Sequence, residues 1–212
     1  MTNIGDSAVL DAQIVQLNGF YGRPDFLARC ADCEVELDMG CGKGTFTTEL
    51  ARRHPERVVL AADVMSGRLR KLVKRNLRDG IDNMVVIKSE ARMLIGRLLP
   101  DGLVTRLHIL CPDPWPKGRH RGNRLLSSDF MTQIHRILKP GGGWHFSTHD
   151  PTYLEAVRRG VAASGLFCED SSQLADIADI KTDFEMLWNS EGKPVHHHAW
   201  VAMPLPVPAI GH

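Results

Sequence analysis

The stretch Leu37-Asp38-Met39-Gly40-Cys41-Gly42-Lys43-Gly44 constrains this chain more than any other. It ends a short apolar-leaning run, Val35 to Met39, and precedes a helical one, Phe46 to Arg53, so it reads as a strand-to-helix turn. Glycine tolerates positive φ, and without a Cβ its backbone can come close to a ligand. The spacing excludes two common alternatives. A dinucleotide fingerprint needs G-x-G-x-x-G, and Thr45 stands at the required third glycine. A P-loop needs G-K-[ST] after four intervening residues, and none follows.

Strand and helix patterns alternate along the rest of the chain. Strands are expected at Arg57 to Ala62, Met84 to Lys88, Val104 to Leu110 and Gly143 to Ser147, with two more between Phe167 and Met203. Helices are expected at Ser66 to Arg78, Ala91 to Leu98, around Phe130 to Leu138, and from Asp150-Pro151 to about Ala163. Lys139-Pro140-Gly141 ends the third of these, and Cys111 to Arg124, rich in Pro, Gly and basic residues, reads as a long loop. The order predicts a doubly wound, Rossmann-like α/β fold: a mostly parallel seven-stranded sheet with helices on both faces. Residues 1–33 read as a weakly structured or helical segment, 34–203 as the domain, and 204–212 as a Pro-rich tail.

Asp38, Asp63 and Glu90 fall at the carboxyl ends of three neighbouring parallel strands, facing the crevice where ligands of such sheets bind. Asp63 lies about twenty residues past the glycines, where an acid can accept hydrogen bonds from ribose hydroxyls. The pattern acidic-x-G-x-G-x-G resembles motif I of the class I methyltransferases. The expected cofactor is therefore S-adenosylmethionine, leaving as S-adenosylhomocysteine. Asp38 would meet its amino-acid part, and Glu90 with Ala91 the adenine edge. Gly40, Gly42 and Gly44 would form the cradle.

A second run, Pro112-Asp113-Pro114-Trp115-Pro116-Lys117 and on through Arg119 to His120, follows the fourth strand. Its prolines restrict the backbone and hold the Asp113 carboxylate still. With the glycine motif, Leu138 to Gly142, His145 to Thr148 and Thr182 to Glu185, it resembles the bacterial tRNA (guanine-N7-)-methyltransferases, in the same order, from Val35 to Met203. The resemblance implies methyl transfer to N7 of a tRNA guanosine, mostly in the variable loop. It implies a catalytic role for Asp113, also close to the cofactor. Lys117, Arg119, His120, Asp150, Thr182, Phe184 and Glu185 are the implied substrate contacts. The chain departs from the family's pattern: its first two acids are Asp where Glu is usual, its third is Glu where Asp is usual, and His149 stands where an Asp is expected. Asp150, next in sequence, is the candidate replacement.

Bulk properties set the remaining bounds. The chain has 212 residues, 43% hydrophobic and 24% charged, enough for one large domain. With no membrane-length apolar run and no signal-peptide pattern, the cytoplasm is expected. Five cysteines at irregular spacings argue against a disulfide framework. A net charge of +1 is low for a nucleic-acid binder, so support for RNA must come from local clusters. Two exist: Arg68, Arg70, Lys71, Lys74, Arg75 and Arg78 on one helix, and Lys117 to Arg124 beside the expected site. His196, His197 and His198 adjoin on a strand, poor geometry for one metal, and methyl transfer needs none. The expected partner is tRNA, with no membrane, and the chain a monomer or homodimer. Two other readings stay open: a methyltransferase of the same fold acting on another RNA or a small molecule, and a non-catalytic RNA-binding module.

Overall fold

The computed structural model describes residues 4–17, 22–112 and 128–205. The first half forms α1 (Ile4–Ala12), β1 (Ile14–Gln16), a 3-10 turn (Asp25–Cys30), β2 (Val35–Met39), α2 (Thr45–Arg53), β3 (Val58–Asp63), α3 (Ser66–Asp79), β4 (Met84–Lys88) and α4 (Ala91–Met93), which continues as a π turn (Leu94–Leu98). The second half forms β5 (Val104–Leu110), α5 (Ser128–Ile137), β6 (Leu138–Thr148), α6 (Pro151–Ser164), β7 (Phe167–Glu169), α7 (Asp183–Ser190) and β8 (His196–Ala202).

The strands make one sheet in the order β1-β4-β3-β2-β5-β6-β8-β7. β8 runs antiparallel to β6 and β7, and the other pairs are parallel. Strand order reverses between β2 and β5, so a crevice opens at the carboxyl ends of those two strands.

This is the expected doubly wound α/β architecture, corrected in two places: among the described residues the sheet has eight strands, not seven, and β6 begins at Leu138 rather than Gly143. The added strand, β1, pairs in parallel with β4 through Ile14↔Val86. Three residues carry too little alternation to be read as a strand from sequence. The described part of the first 33 residues thus joins the sheet, and Leu17, Phe26, Leu27 and Cys30 are buried in its core.

Strand alternation divides the core. Val58, Leu60 and Ala62 of β3 face Leu94, Ile95, Ile134 and Val157 on the α4–α6 side. Val59 and Ala61 face Phe46, Leu50, Leu69 and Leu72 of α2 and α3. Both faces are covered, which is why the central strands are almost continuously apolar.

Two turns depend on sequence detail. Between β5 and β6 the register jumps from Val104↔Leu138 to Arg106↔Gly143, so Lys139 to Gly142 loop out of the ladder. A Cβ on Gly142 would lie 2.8 Å from the Lys139 carbonyl and 3.1 Å from that of Thr105, so only glycine fits there. At α6, Asp150 Oδ1 accepts from the backbone N–H groups of Thr152 (2.8 Å) and Tyr153 (3.1 Å), with Pro151 at the first helical position.

Candidate active site

Gly40 (φ +89°), Gly42 (+59°) and Gly44 (+76°) turn the chain from β2 into α2. At Gly44 a Cβ would stand 2.3 Å from Leu72 Cδ1, so α3 packs directly on the turn. At Gly40 and Gly42 a Cβ would meet nothing, and the turn offers bare backbone to a cleft of about 290 Å³. Asp38, Gly40, Gly42, Phe46 and Arg68 line one side of it, and Thr182, Asp183, Phe184 and Leu187 the other. Thr45 spans the two sides: its hydroxyl donates to Asp183 Oδ2 (3.0 Å) and accepts from Arg75 Nη1 (3.1 Å).

Asp38 is buried on the α2 side of β2, and the Thr47 hydroxyl donates to its Oδ2. Burial pushes its carboxyl up to about 6, against the pull of the Thr47 bond and the His108 ring, with the negative charge of Asp63 adding to the rise. Asp63, also buried, accepts from the Gly42 N–H (3.1 Å) and the Met65 N–H (2.8 Å). It thereby holds the glycine turn against the end of β3. Glu90 is exposed just beyond β4, and Ala91 begins α4.

Across the cleft, Thr182 caps α7 by accepting from the Glu185 N–H (3.0 Å). Glu185 is buried beneath that helix; its Oε1 contacts Lys181 Nζ (2.8 Å) and His197 Nε2 (3.1 Å). Its Oε2 has no hydrogen-bond partner among the described residues. Phe184 is 42% exposed at the cleft, with the Arg68 guanidinium 5.8 Å from its ring centroid. Phe184 stacks on Trp188 (5.8 Å, 30°), and Trp188 meets His149 (3.8 Å, 38°). His149 thus has an aromatic contact, while Asp150 spends Oδ1 on the cap of α6.

Of the residues expected from sequence, Asp38, Gly40, Gly42, Thr182 and Phe184 come together around the cleft. Gly44 and Asp63 brace it from behind. Asp113, Lys117, Arg119 and His120 lie outside the described residues. The basic face of α3 is partly neutralised: Arg70 pairs with Asp11 (2.8 Å) and Arg78 with Asp79 (2.6 Å), while Lys71 and Lys74 are exposed.

Two features escaped sequence reading. Cys111, at the carboxyl end of β5, has φ +51°. A side chain in that region costs about 1–2 kcal/mol, and such strain tends to collect at functional sites. No sequence signal marks it. The second is a buried polar stripe on the α2 side of the sheet. Arg106 donates to both oxygens of Glu36 (2.9 and 3.0 Å) and to both of Asp176 (2.7 and 2.9 Å), and Arg57 also pairs with Glu36. Here a signal exists: Glu36 and Asp38, Arg106 and His108, and His145 and Ser147 occupy alternate positions of strands that must be buried on both faces.

The family described as "Putative methyltransferase" matches residues 32–198. The tRNA (guanine-N(7)-)-methyltransferase of Thermotoga maritima is 32% identical over 160 residues, 76% of this chain and 51% of that protein. The protein of that name from Neisseria meningitidis is 32% identical over 167 residues, 77% of this chain and 68% of its own. The chain therefore spans about half the length of the first of these relatives and about two thirds of the second. Among solved structures, the 16S rRNA methyltransferase KamB shares the fold, with TM-score 0.63 and 19% identity over 87% of this chain and 96% of that one. Among the described residues, no helix is long and apolar enough to cross a membrane.

Proposed function

This chain belongs to the tRNA (guanine-N(7)-)-methyltransferase family, and from that premise we propose that it transfers a methyl group from S-adenosylmethionine to N7 of a guanosine in tRNA. The observation that carries the reading is the cleft, where a bare glycine turn and a buried acid face an aromatic ring on a capped helix.

The residues suit the cofactor. The Asp38 carboxyl, raised by burial, gains most from a cationic partner, which the ammonium of the amino-acid part provides. Gly40 and Gly42 let the backbone approach, with Gly44 packed on α3 to hold the turn; Asp63, which already accepts one backbone N–H on each oxygen, would also accept from the ribose hydroxyls, and Glu90 with Ala91 would meet the adenine edge. S-adenosylmethionine supplies an electrophilic methyl group on a sulfonium.

The chain's own task is to hold the acceptor. Guanine N7 carries a lone pair and needs no strong base. Phe184, backed by Trp188, offers a face on which a purine can stack. Thr182 supplies a polar contact at the cleft, and Glu185 lies buried beneath it. Asp113 offsets the positive charge that develops on the base, and a carboxylate accepting from the guanine edge selects it over adenine. Lys117, Arg119 and His120 contact the RNA, with Asp150 at the margin of the site.

Nucleoside mass spectrometry after incubation with S-adenosylmethionine and unmodified tRNA transcripts tests the reading. New 7-methylguanosine is expected, and its loss in Asp113→Ala with cofactor binding kept. If protein that binds the cofactor leaves every nucleoside unmethylated, the acceptor assignment fails.

A further inference from the structure

Three histidines link two buried carboxylates across the sheet. Glu36 Oε2 contacts His108 Nε2 (2.7 Å), and His108 Nδ1 contacts His145 Nδ1 (3.1 Å). His145 Nε2 then contacts His197 Nδ1 (2.9 Å), and His197 Nε2 contacts Glu185 Oε1 (3.1 Å). His108 is 0% and His145 3% exposed, as are Glu36 (0%) and Glu185 (2%), while the His197 side chain is 23% exposed, so solvent reaches the array only at that ring.

Proton counting makes this chain unusual. Each of the four contacts takes one hydrogen, and a neutral imidazole carries one N–H. Three neutral rings leave one contact with two lone pairs facing each other. If the hydrogens all point toward Glu36, the vacant contact is that between His197 and Glu185. The array is complete with one extra proton and two ionised carboxylates. That proton can sit at either end, because reversing the three tautomers moves it from His197 to His108. Each N–H broken on one ring is matched by one formed on the next, and nothing is exchanged with solvent.

We propose that His108, His145 and His197 form a relay holding one shared proton between Glu36 and Glu185, and that its position sets the field that the buried Glu185, beneath the α7 cap, exerts on the acceptor base. The acceptor half of this statement rests on the function proposed above. The surroundings give the relay a resting direction. At the Glu36 end, Arg106 and Arg57 already neutralise the carboxylate, with Asp176 shared between them. Asp38 of the cleft is the cross-strand partner of His108, and the Phe46 ring packs on it at 4.9 Å. At the other end Lys181 pairs with Glu185, Cys111 lies close by, and Oε2 of Glu185 has no partner among the described residues. His145 in the middle is held well below the usual histidine range by burial, with the fixed positive charges of Arg106 and Lys181 adding to the effect. The proton therefore rests at His197 and Glu185. Glu185 lies behind Thr182, which lines the cleft, so a cation formed on the acceptor acts through that helix end and pushes the proton toward His108.

Glu185 and Glu36 both stay ionised in this state. Hydrogen bonds from His197 and Lys181 outweigh the burial of Glu185, and His108 and Arg106 outweigh that of Glu36.

Nitrogen NMR of the full chain carrying 15N-labelled histidine, at neutral and mildly alkaline pH, counts the protons. The wild-type protein should show one of the three rings doubly protonated, with His145 as the Nδ1–H tautomer. In Glu185→Gln the amide donates to His197 Nε2, and all three rings should be neutral. Three neutral rings in the wild type, or an imidazolium that persists in Glu185→Gln, overturn the relay. In His145→Gln the central side chain keeps its polarity but cannot take a proton at one end and release one at the other. The pH midpoint of kcat should then move by about one pH unit or more, with KM for S-adenosylmethionine unchanged; a superimposable pH profile overturns the coupling to the acceptor. A wild-type chain that methylates no tRNA removes the functional reading, and the proton count then decides the relay alone.

Discussion

Burial opposes the charge on Asp38, and a hydroxyl and an imidazole keep it within reach of neutral pH. A carboxyl raised from 3.8 to about 6 binds its proton more tightly in the folded than in the unfolded chain. Its stabilising contribution is therefore complete below about pH 4 and is lost as pH rises through about 6, amounting to about 3 kcal/mol. A cationic ligand reverses this balance. Asp38→Asn should raise the melting temperature of the free protein at neutral pH while weakening S-adenosylmethionine binding about tenfold or more. Calorimetric titration and a thermal melt of both proteins read the two effects. In the wild type, affinity should fall as pH drops below about 6. Equal affinities at pH 5 and pH 8 would detach Asp38 from the ammonium.

Elements are joined here by charge as well as by apolar packing. Arg106 on β5 binds Glu36 on β2 and Asp176 ahead of α7, so one guanidinium fixes the position of the helix that walls the cleft. Removing it leaves Glu36, 0% exposed, with Arg57 as its remaining guanidinium. Arg106→Met should lose about 3–5 kcal/mol of unfolding free energy in a denaturant titration. Adding Glu36→Gln should restore part of that loss. The regular elements were largely legible in the sequence. Met84–Lys88 and Val104–Leu110 have the bounds expected from their apolar runs, and Asp150-Pro151 starts α6 as its capping chemistry predicts. The misreadings fall where tertiary pairing overrides local pattern. β1 exists because β4 offers an edge, and Leu138 to Gly142 belong to a strand because β5 resumes its ladder beyond the bulge.

For the molecule as a whole, the glycine-and-acid side of the cleft was readable because it depends on turn chemistry: glycines where φ is positive and acids at strand ends. The polar stripe beneath it was not, since which charges meet depends on register between strands far apart in sequence, such as Glu36↔Arg106. Binding in the cleft couples to folding of the entire domain. At about 100 times its Kd, S-adenosylmethionine should add about 2.7 kcal/mol of stability. In a chain of this size that raises Tm by roughly 5–10 °C. Differential scanning fluorimetry measures it, and an unmoved Tm at saturating concentration would remove the cofactor from the cleft.

Among the described residues, the sheet ends on both sides in strands of three residues, β1 and β7. So short a border exposes few unsatisfied N–H and C=O groups and gives an incoming strand little length on which to register. The wide, strongly apolar centre can thus stay β-rich without templating fibrous association, and any self-association would have to use the helical faces or the cleft rim rather than extend the hydrogen-bonded ladder from one molecule into the next.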